Sequence, residues 1–390
     1  METVRIGVMG IGNIGRKHCS YLSGGEIPNA KLTAVCDLKA QPLEWARENL
    51  PESVRLYDND EAFFASGEID AVIISVPHYY HPPLVMEAFK NGLHALSEKP
   101  AGVYTKQVRE MNEAAKKSGK VFGIMFDWRT WPLYQKLRDL VQSDELGELK
   151  QNIFITTAWY RSQSYYDSGG WRATWGGEGG GILMNQAPHH LDLWQWVCGV
   201  PKRIRAVCNV AKYKDIEVED DVTVYADYEG GATGTLVAST GLTPGTLRWE
   251  ITGNKAKVVV EDEKITLWRL EVPERDFNRD FRGGFGEPES TSEEVPYDGQ
   301  APKKHPGITT NWVEAILQGT DKPNLLAPGV EGIRSLEIAN AAYLSSWTDG
   351  WVEIPVDEDF YYDKLQEKIK NSTFEKKGVN ERTLDVEPSI

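Results

Sequence analysis

Apolar and polar positions alternate in two rhythms along the chain, and the change of rhythm divides it. Through residues 1–125, short apolar runs at 4–9, 32–36, 71–75, 94–96 and 121–125 predict strands. Between them, helical spacing at 14–23, 41–49, 83–91 and 106–118 predicts helices. Strands separated by helices through short connections predict a parallel sheet covered on both faces. Beyond a helix at 132–141 the rhythm becomes period two, at 149–157, 204–211, 221–228, 232–239, 247–252 and 257–260, with Gly and Asp at the turns. Strands joined so closely are antiparallel. Residues 273–307 are charged, rich in Gly and Pro and without periodicity, which predicts a long loop. Helical spacing returns at 309–318 and 330–347, and from Asp357 the chain turns polar. The expected division is a first α/β domain over 1–125, an α+β domain with an open, mostly antiparallel sheet over 126–356, and a polar tail over 357–390.

Composition narrows the function classes. The 390 residues are 41% hydrophobic and 26% charged, ordinary values for a globular protein. Lys+Arg 43 against Asp+Glu 58 gives a net charge of −15, which speaks against a nucleic-acid partner. No run approaches the ~18 to 20 apolar residues that cross a bilayer. The apolar stretch 4–14 is broken by Arg5 and glycines and lacks a cleavage site, so a cytoplasmic protein is expected. Cys19, Cys36, Cys198 and Cys208 form no C-x-x-C pair, so reduced thiols and no metal are expected. Trp and Tyr, 13 and 16 in number, are concentrated between Trp128 and Trp196. Such rings fill cores and interfaces, and they also stack on sugars.

Gly10-Ile11-Gly12-Asn13-Ile14-Gly15 follows the first strand and opens the first helix. In that context G-x-G-x-x-G has a physical reading. Gly10 makes the turn, Gly12 admits a pyrophosphate, and Gly15 lets helix and strand pack closely; the helix N-terminus presents its N–H groups to the anion. Asp37, ending the second strand, is placed to accept from both ribose hydroxyls of NAD and to repel a 2′-phosphate. Lys39 tempers that preference and leaves NADP open.

Ser97-Glu98-Lys99-Pro100 ends a later strand, where the ligand crevice of an open α/β sheet lies, and Ser75-Val76-Pro77 with His78 and His81 ends another. Downstream, Gly179-Gly180-Gly181 leads into Asn185-Gln186-Ala187-Pro188-His189-His190-Leu191-Asp192. With Arg16-Lys17-His18, Arg129 and Pro132, Asn311 through Ile316 and Ala342 through Ser346, these motifs resemble the Gfo/Idh/MocA oxidoreductases. That resemblance spans residues 4–355. It implies a Rossmann domain, an open-sheet domain that forms a homodimer or homotetramer, and Lys99 and His189 as catalytic residues. Many members carry Asp where this chain has Asn185, and an amide does not titrate.

Read from the residues themselves, Pro188 places a helix start near Asn185, with Asn185 as N-cap or as substrate contact on the face of His189. His189 is a core histidine or, beside the lysine motif, a base. Asp192, three residues on, is placed to orient its imidazole, whereas His190 points elsewhere. Trp159, Tyr160, Arg161, Tyr165, Tyr166, Trp171 and Arg172 suit either packing or a pyranose, and Tyr160, Arg161, Trp171 and Arg172 are the expected substrate contacts. His305, in the long loop, reads as a solvated loop residue in preference to one that reaches the sugar. The expected cofactor contacts are Gly10, Gly12, Asn13, Ile14, Asp37, Ser75, Pro77, His81, Glu98 and Lys99. The expected activity is hydride transfer between NAD(P) and a secondary hydroxyl of a sugar, glycoside or polyol, C3 of a pyranose included. NAD-dependent glycoside hydrolysis through transient oxidation, and a non-catalytic sugar sensor, are the competing readings.

Overall fold

The computed structural model describes residues 2–319 and 324–376. The first 126 residues form β1 (Val4–Met9), α1 (Asn13–Ser23), β2 (Ala30–Cys36), α2 (Ala40–Asn49), β3 (Arg55–Tyr57), α3 (Asp60–Phe64), β4 (Ala71–Ile74), α4 (His81–Lys90), β5 (His94–Ser97), α5 (Thr105–Ser118) and β6 (Phe122–Ile124). The sheet order is β3-β2-β1-β4-β5-β6, all parallel. β4, Ala-Val-Ile-Ile, is buried at every position, as a central strand covered on both faces must be. Strand order reverses between β1 and β4, and a crevice opens there beyond the carboxyl ends of the strands.

A 3₁₀ turn, Asp127–Thr130, leads out of this domain into α6 (Pro132–Gln142), whose proline sits in the first turn where its missing N–H costs nothing. Then follow β7 (Leu149–Thr156), α7 (Gln163–Tyr166), α8 (Pro188–Cys198), β8 (Arg203–Val210), β9 (Glu219–Asp227), β10 (Thr233–Ser239), β11 (Leu247–Gly253), β12 (Ala256–Glu261), β13 (Lys264–Leu270), α9 (Glu274–Asp280), β14 (Ser290–Glu294), α10 (Lys304–Gln318), α11 (Gly332–Thr348), β15 (Val352–Glu353) and α12 (Glu358–Lys370). Nine strands form one sheet in the order β14-β13-β12-β11-β7-β10-β9-β8-β15, antiparallel except where β7 meets β10. Its inner face carries Phe154, Val224, Leu236, Trp249 and Ile251 against α6, α8 and α11; its outer face is open and exposes Val207 and Tyr225. The parallel first sheet and the open, mostly antiparallel second sheet agree with the pattern reading.

Two stretches differ from it. Residues 273–307 hold α9, β14 and the start of α10, where Pro306 falls in the first turn and so does not interrupt the helix. The expected polar tail begins instead as α12, N-capped by Asp357 through the Phe360 N–H at 3.0 Å and anchored by buried Tyr361 and Leu365, four residues apart on one face. Residues 377–390 of that expectation lie outside the described residues.

Candidate functional site

The glycine loop after β1 is shaped as its spacing demands. Gly10 has φ +87°, and a Cβ there would lie 2.6 Å from the Ser75 carbonyl oxygen; at Gly15 one would lie 1.8 Å from the Gly10 oxygen. Around Gly12 a Cβ would meet no protein atom within 4 Å. That open space sits at the N-terminus of α1, where the Gly12 cap offers no side-chain hydrogen bond and Asn13 and Ile14 are half-buried. Ser75 steadies the loop, its hydroxyl donating to Gly10 and Met9 at 2.8 and 3.1 Å. Asp37 accepts from the Ile11 and Lys39 N–H groups at 2.8 and 2.9 Å, which aims its carboxylate along the edge of the loop. Pro77 is half-buried in the loop after β4.

His81 and Glu98 are turned inward. The His81 ring places Nδ1 and Nε2 each 2.7 Å from the carbonyls of Pro100 and Val76, tying together the loops that follow β4 and β5. Glu98 Oε1 lies 2.8 Å from His18 Nε2, and Oε2 accepts from the Lys99 N–H at 3.2 Å. Burial pushes the Glu98 carboxyl up, but His18, His305 and Lys99 outweigh it and hold it at about 2.

Lys99 bridges the two domains: its Nζ donates to the Asn185 carbonyl at 2.8 Å. Burial draws its pKa down against the pull of Glu98, Asp127 and Glu178. Burial, with the charges of Lys99, His305 and His190, holds His189 well below the ordinary histidine range, so its imidazole is neutral. The lysine's charge thus acts on the imidazole across the junction of the two domains.

The surroundings of His189 differ from expectation in two ways. α8 begins at Pro188, with Ala187 as cap residue, so Asn185 precedes the helix; its amide donates to the buried Glu178 carboxylate. Asp192 does not orient His189. Arg129, almost wholly buried, takes both of its oxygens at 2.7 and 2.8 Å, and the guanidinium is completed by Glu331 at 2.6 Å. The carboxylate that faces His189 Nδ1 is Asp127, with Oδ1 at 3.3 Å. Its Oδ2 lies 3.3 Å from Nδ1 of His305, which is buried on α10 and not solvated. The aperiodic sequence around His305 concealed it; the proline one residue on, permitted in a first helical turn, was the available signal.

Among the aromatic and polar residues before the glycine stretch, several converge. Tyr165 donates to Asn185 Oδ1 at 3.4 Å and accepts from Arg172 at 3.1 Å; Arg161 and Arg172 lie over its ring at 5.3 and 4.8 Å. Trp171 packs edge-on against His78 and under Arg172. Tyr160 stands apart: it is 48% exposed, beneath Lys214 on the outer surface. His190 packs against Trp128, Trp159 and Phe154, as a structural residue does. A contact unread in the sequence comes from beyond α12, where Lys376 Nζ donates to the Gly169 and Arg172 carbonyls at 2.6 and 2.8 Å and so ties that segment to this loop. Among the described residues, no helix is long and apolar enough to cross a membrane.

Comparison with known proteins agrees with this geometry. Residues 4–126 match the model of an oxidoreductase family with an NAD-binding Rossmann fold, and residues 134–259 match the GFO/IDH/MocA C-terminal domain. The chain is 30% identical over 201 residues to the D-glucoside 3-dehydrogenase of Escherichia coli K12, an alignment covering 51% of this chain and 55% of that protein. To the scyllo-inositol 2-dehydrogenase (NAD(+)) of Bacillus subtilis it is 25% identical, over 73% of this chain and 82% of that one. The WlbA dehydrogenase of Chromobacterium violaceum, solved with NADH and UDP-GlcNAcA, superposes with a TM-score of 0.76 at 28% identity, covering 92% of this chain and 97% of that chain. Curated relatives at 30% identity or above are matched over about half of their length.

Proposed function

This chain belongs to the Gfo/Idh/MocA oxidoreductase family, and from its site we propose a dehydrogenase that moves hydride between NAD and a secondary hydroxyl of a sugar, glycoside or polyol. The observation that carries the reading is the 2.8 Å contact from Lys99 Nζ to the Asn185 carbonyl, four residues ahead of His189. It joins the nucleotide half to the segment that leads into the helix bearing His189.

The loop fits the cofactor. The space beside Gly12 would take a pyrophosphate onto the open N-terminus of α1. Asp37 keeps free lone pairs for ribose hydroxyls beyond the two backbone donors it already has, and its charge favours NAD over NADP. When bound, the nicotinamide supplies a two-electron hydride acceptor. The neutral His189 would take the hydroxyl proton on Nε2 while the carbon bearing that hydroxyl gives up its hydride, so that the alcohol becomes a ketone. Lys99 donates to that oxygen and stabilises the charge developing on it. Asn185, Tyr165, Arg161, Trp171 and Arg172 form the wall against which a pyranose would lie, polar groups meeting hydroxyls and rings its apolar face. The name of the Escherichia coli relative directs attention to C3 of a glycoside. The open sheet face with Val207 and Tyr225 supports assembly of copies through that face.

The test is a panel of glycosides, inositols and free sugars offered with NAD and NADP separately, following nicotinamide reduction and products together. Reduced cofactor equal to ketone formed supports the proposal. Released aglycone without net reduction would replace it with hydrolysis through transient oxidation, and binding without turnover would leave a sensor.

A further inference from the structure

We propose that Asp127 is the positioning carboxyl of His189, holding its imidazole in the Nδ1–H tautomer and sharing a proton with His305 on its other side. The proposal deepens the dehydrogenase reading and rests on it for its kinetic arm only.

Neither α8 nor the segment leading into it has a carboxyl free for His189. Asn185 has no charge to lend and its amide is spent on Glu178; Asp192 is held by Arg129. His190, next to His189, packs among aromatic rings. The remaining carboxyl within reach comes from the 3₁₀ turn between the domains. Asp127 is 2% exposed and stands between two imidazoles, 3.3 Å from Nδ1 of each. Asp127 Oδ1, His189 Nδ1 and His305 Nδ1 are all buried and have no well-directed hydrogen-bond partner. Contacts of this kind are commonly loose before ligand binds and tighten in the complex.

Buried polar atoms facing one another have few ways to be satisfied. Beyond His305, Nε2 lies 3.8 Å from Glu98, whose charge is fixed by His18. A hydrogen on Nε2 is therefore favoured, which leaves Nδ1 of His305 as an acceptor. Asp127 satisfies that nitrogen when it carries a proton on Oδ2. Its Oδ1 is then free to accept from Nδ1–H of His189, which leaves Nε2 of His189 bare for a substrate hydroxyl. The groups facing Asp127 are Glu98, Lys99 and Lys304, besides the two histidines. Burial and the Glu98 charge raise its carboxyl to about 7 while the two lysines oppose them, a value consistent with a shared proton. Besides Asp127, those facing His189 are Lys99, His305 and His190, and those facing His305 are Glu98, His18, Lys17 and Lys99.

The test uses the full-length protein labelled with ¹⁵N-histidine, without substrate. Seven histidines are present, and His189→Gln identifies the signal. Long-range proton–nitrogen spectra are expected to show His189 as the Nδ1–H tautomer in the wild type, and an altered tautomer in Asp127→Leu. An Nε2–H tautomer in the wild type, or one unchanged in Asp127→Leu, overturns the proposal. The kinetic arm uses Asp127→Leu, which can neither accept from His189 nor donate to His305, with NADH binding and thermal unfolding as folding controls. There kcat falls about 100-fold with KM within about threefold, and the inflection of kcat near neutral pH disappears. Wild-type kcat with that inflection intact overturns the proposal. The expected tautomer in a protein that oxidises no sugar would support the positioning role and refute the dehydrogenase reading.

Discussion

Gly12→Ala and Gly15→Ala separate cofactor binding from folding within one loop. Gly12 has φ −75°, a value any residue adopts, and its added methyl would meet no protein atom within 4 Å. Losing glycine's freedom in the unfolded chain gains about 0.4–1 kcal/mol, and alanine is the poorer cap by a similar amount. Folding stability should therefore stay within about 1 kcal/mol of the parent. The methyl does occupy the space assigned to the pyrophosphate. Displacing one charge-assisted hydrogen bond to the helix N-terminus costs about 1.5–3 kcal/mol, a loss of about 10- to 150-fold in NADH affinity. At Gly15 the methyl would lie 1.8 Å from the Gly10 oxygen, so the loop must move, and both stability and affinity should fall. Fluorescence titration with NADH beside thermal unfolding reads both quantities. If Gly12→Ala binds NADH as the parent does, the pyrophosphate is not where the open space is, and the cofactor argument fails.

Two further perturbations test the scaffold. Asp192→Ala leaves the buried Arg129 guanidinium paired only at its Glu331 end, and should cost about 3–5 kcal/mol in urea unfolding. A loss under 1 kcal/mol would mean that water reaches the arginine. Asp127→Asn acts on stability through pH. A carboxyl raised from 3.8 to about 7 in the fold binds its proton more tightly there than when unfolded, so wild-type stability should decline as pH rises from about 4 to about 7. The variant lacks that decline and should gain on the wild type between pH 5 and 8; parallel stability profiles would show that Asp127 is not raised.

Much of this was readable in the chain because the informative signals are local. Gly10, Gly12 and Gly15 report backbone geometry, and Ala71 through Ile74 report burial on both faces; neither depends on distant partners. Asp192 shows the limit. Three residues from His189 on one helix, it had the right spacing, but the buried Arg129 from the domain junction claims it, and spacing along a helix carries no information about that competitor. Asp127 and His305 are 178 residues apart in sequence and meet only because α10 packs on the 3₁₀ turn, its first N–H donating to Thr130 Oγ1 at 2.9 Å. α12 was hidden by its composition: a mostly polar helix needs only a narrow apolar stripe, here Tyr361 and Leu365, to dock.

Joint action of Lys99 and His189 on one substrate oxygen is tested most directly by the kinetics of Lys99→Met, His189→Asn and their combination on whichever sugar is oxidised. Each single change should lower kcat at least about 100-fold, and the double variant should be little worse than the poorer single, as for groups that work as a unit. Full activity in either single variant, or losses that multiply in the double, would contradict it.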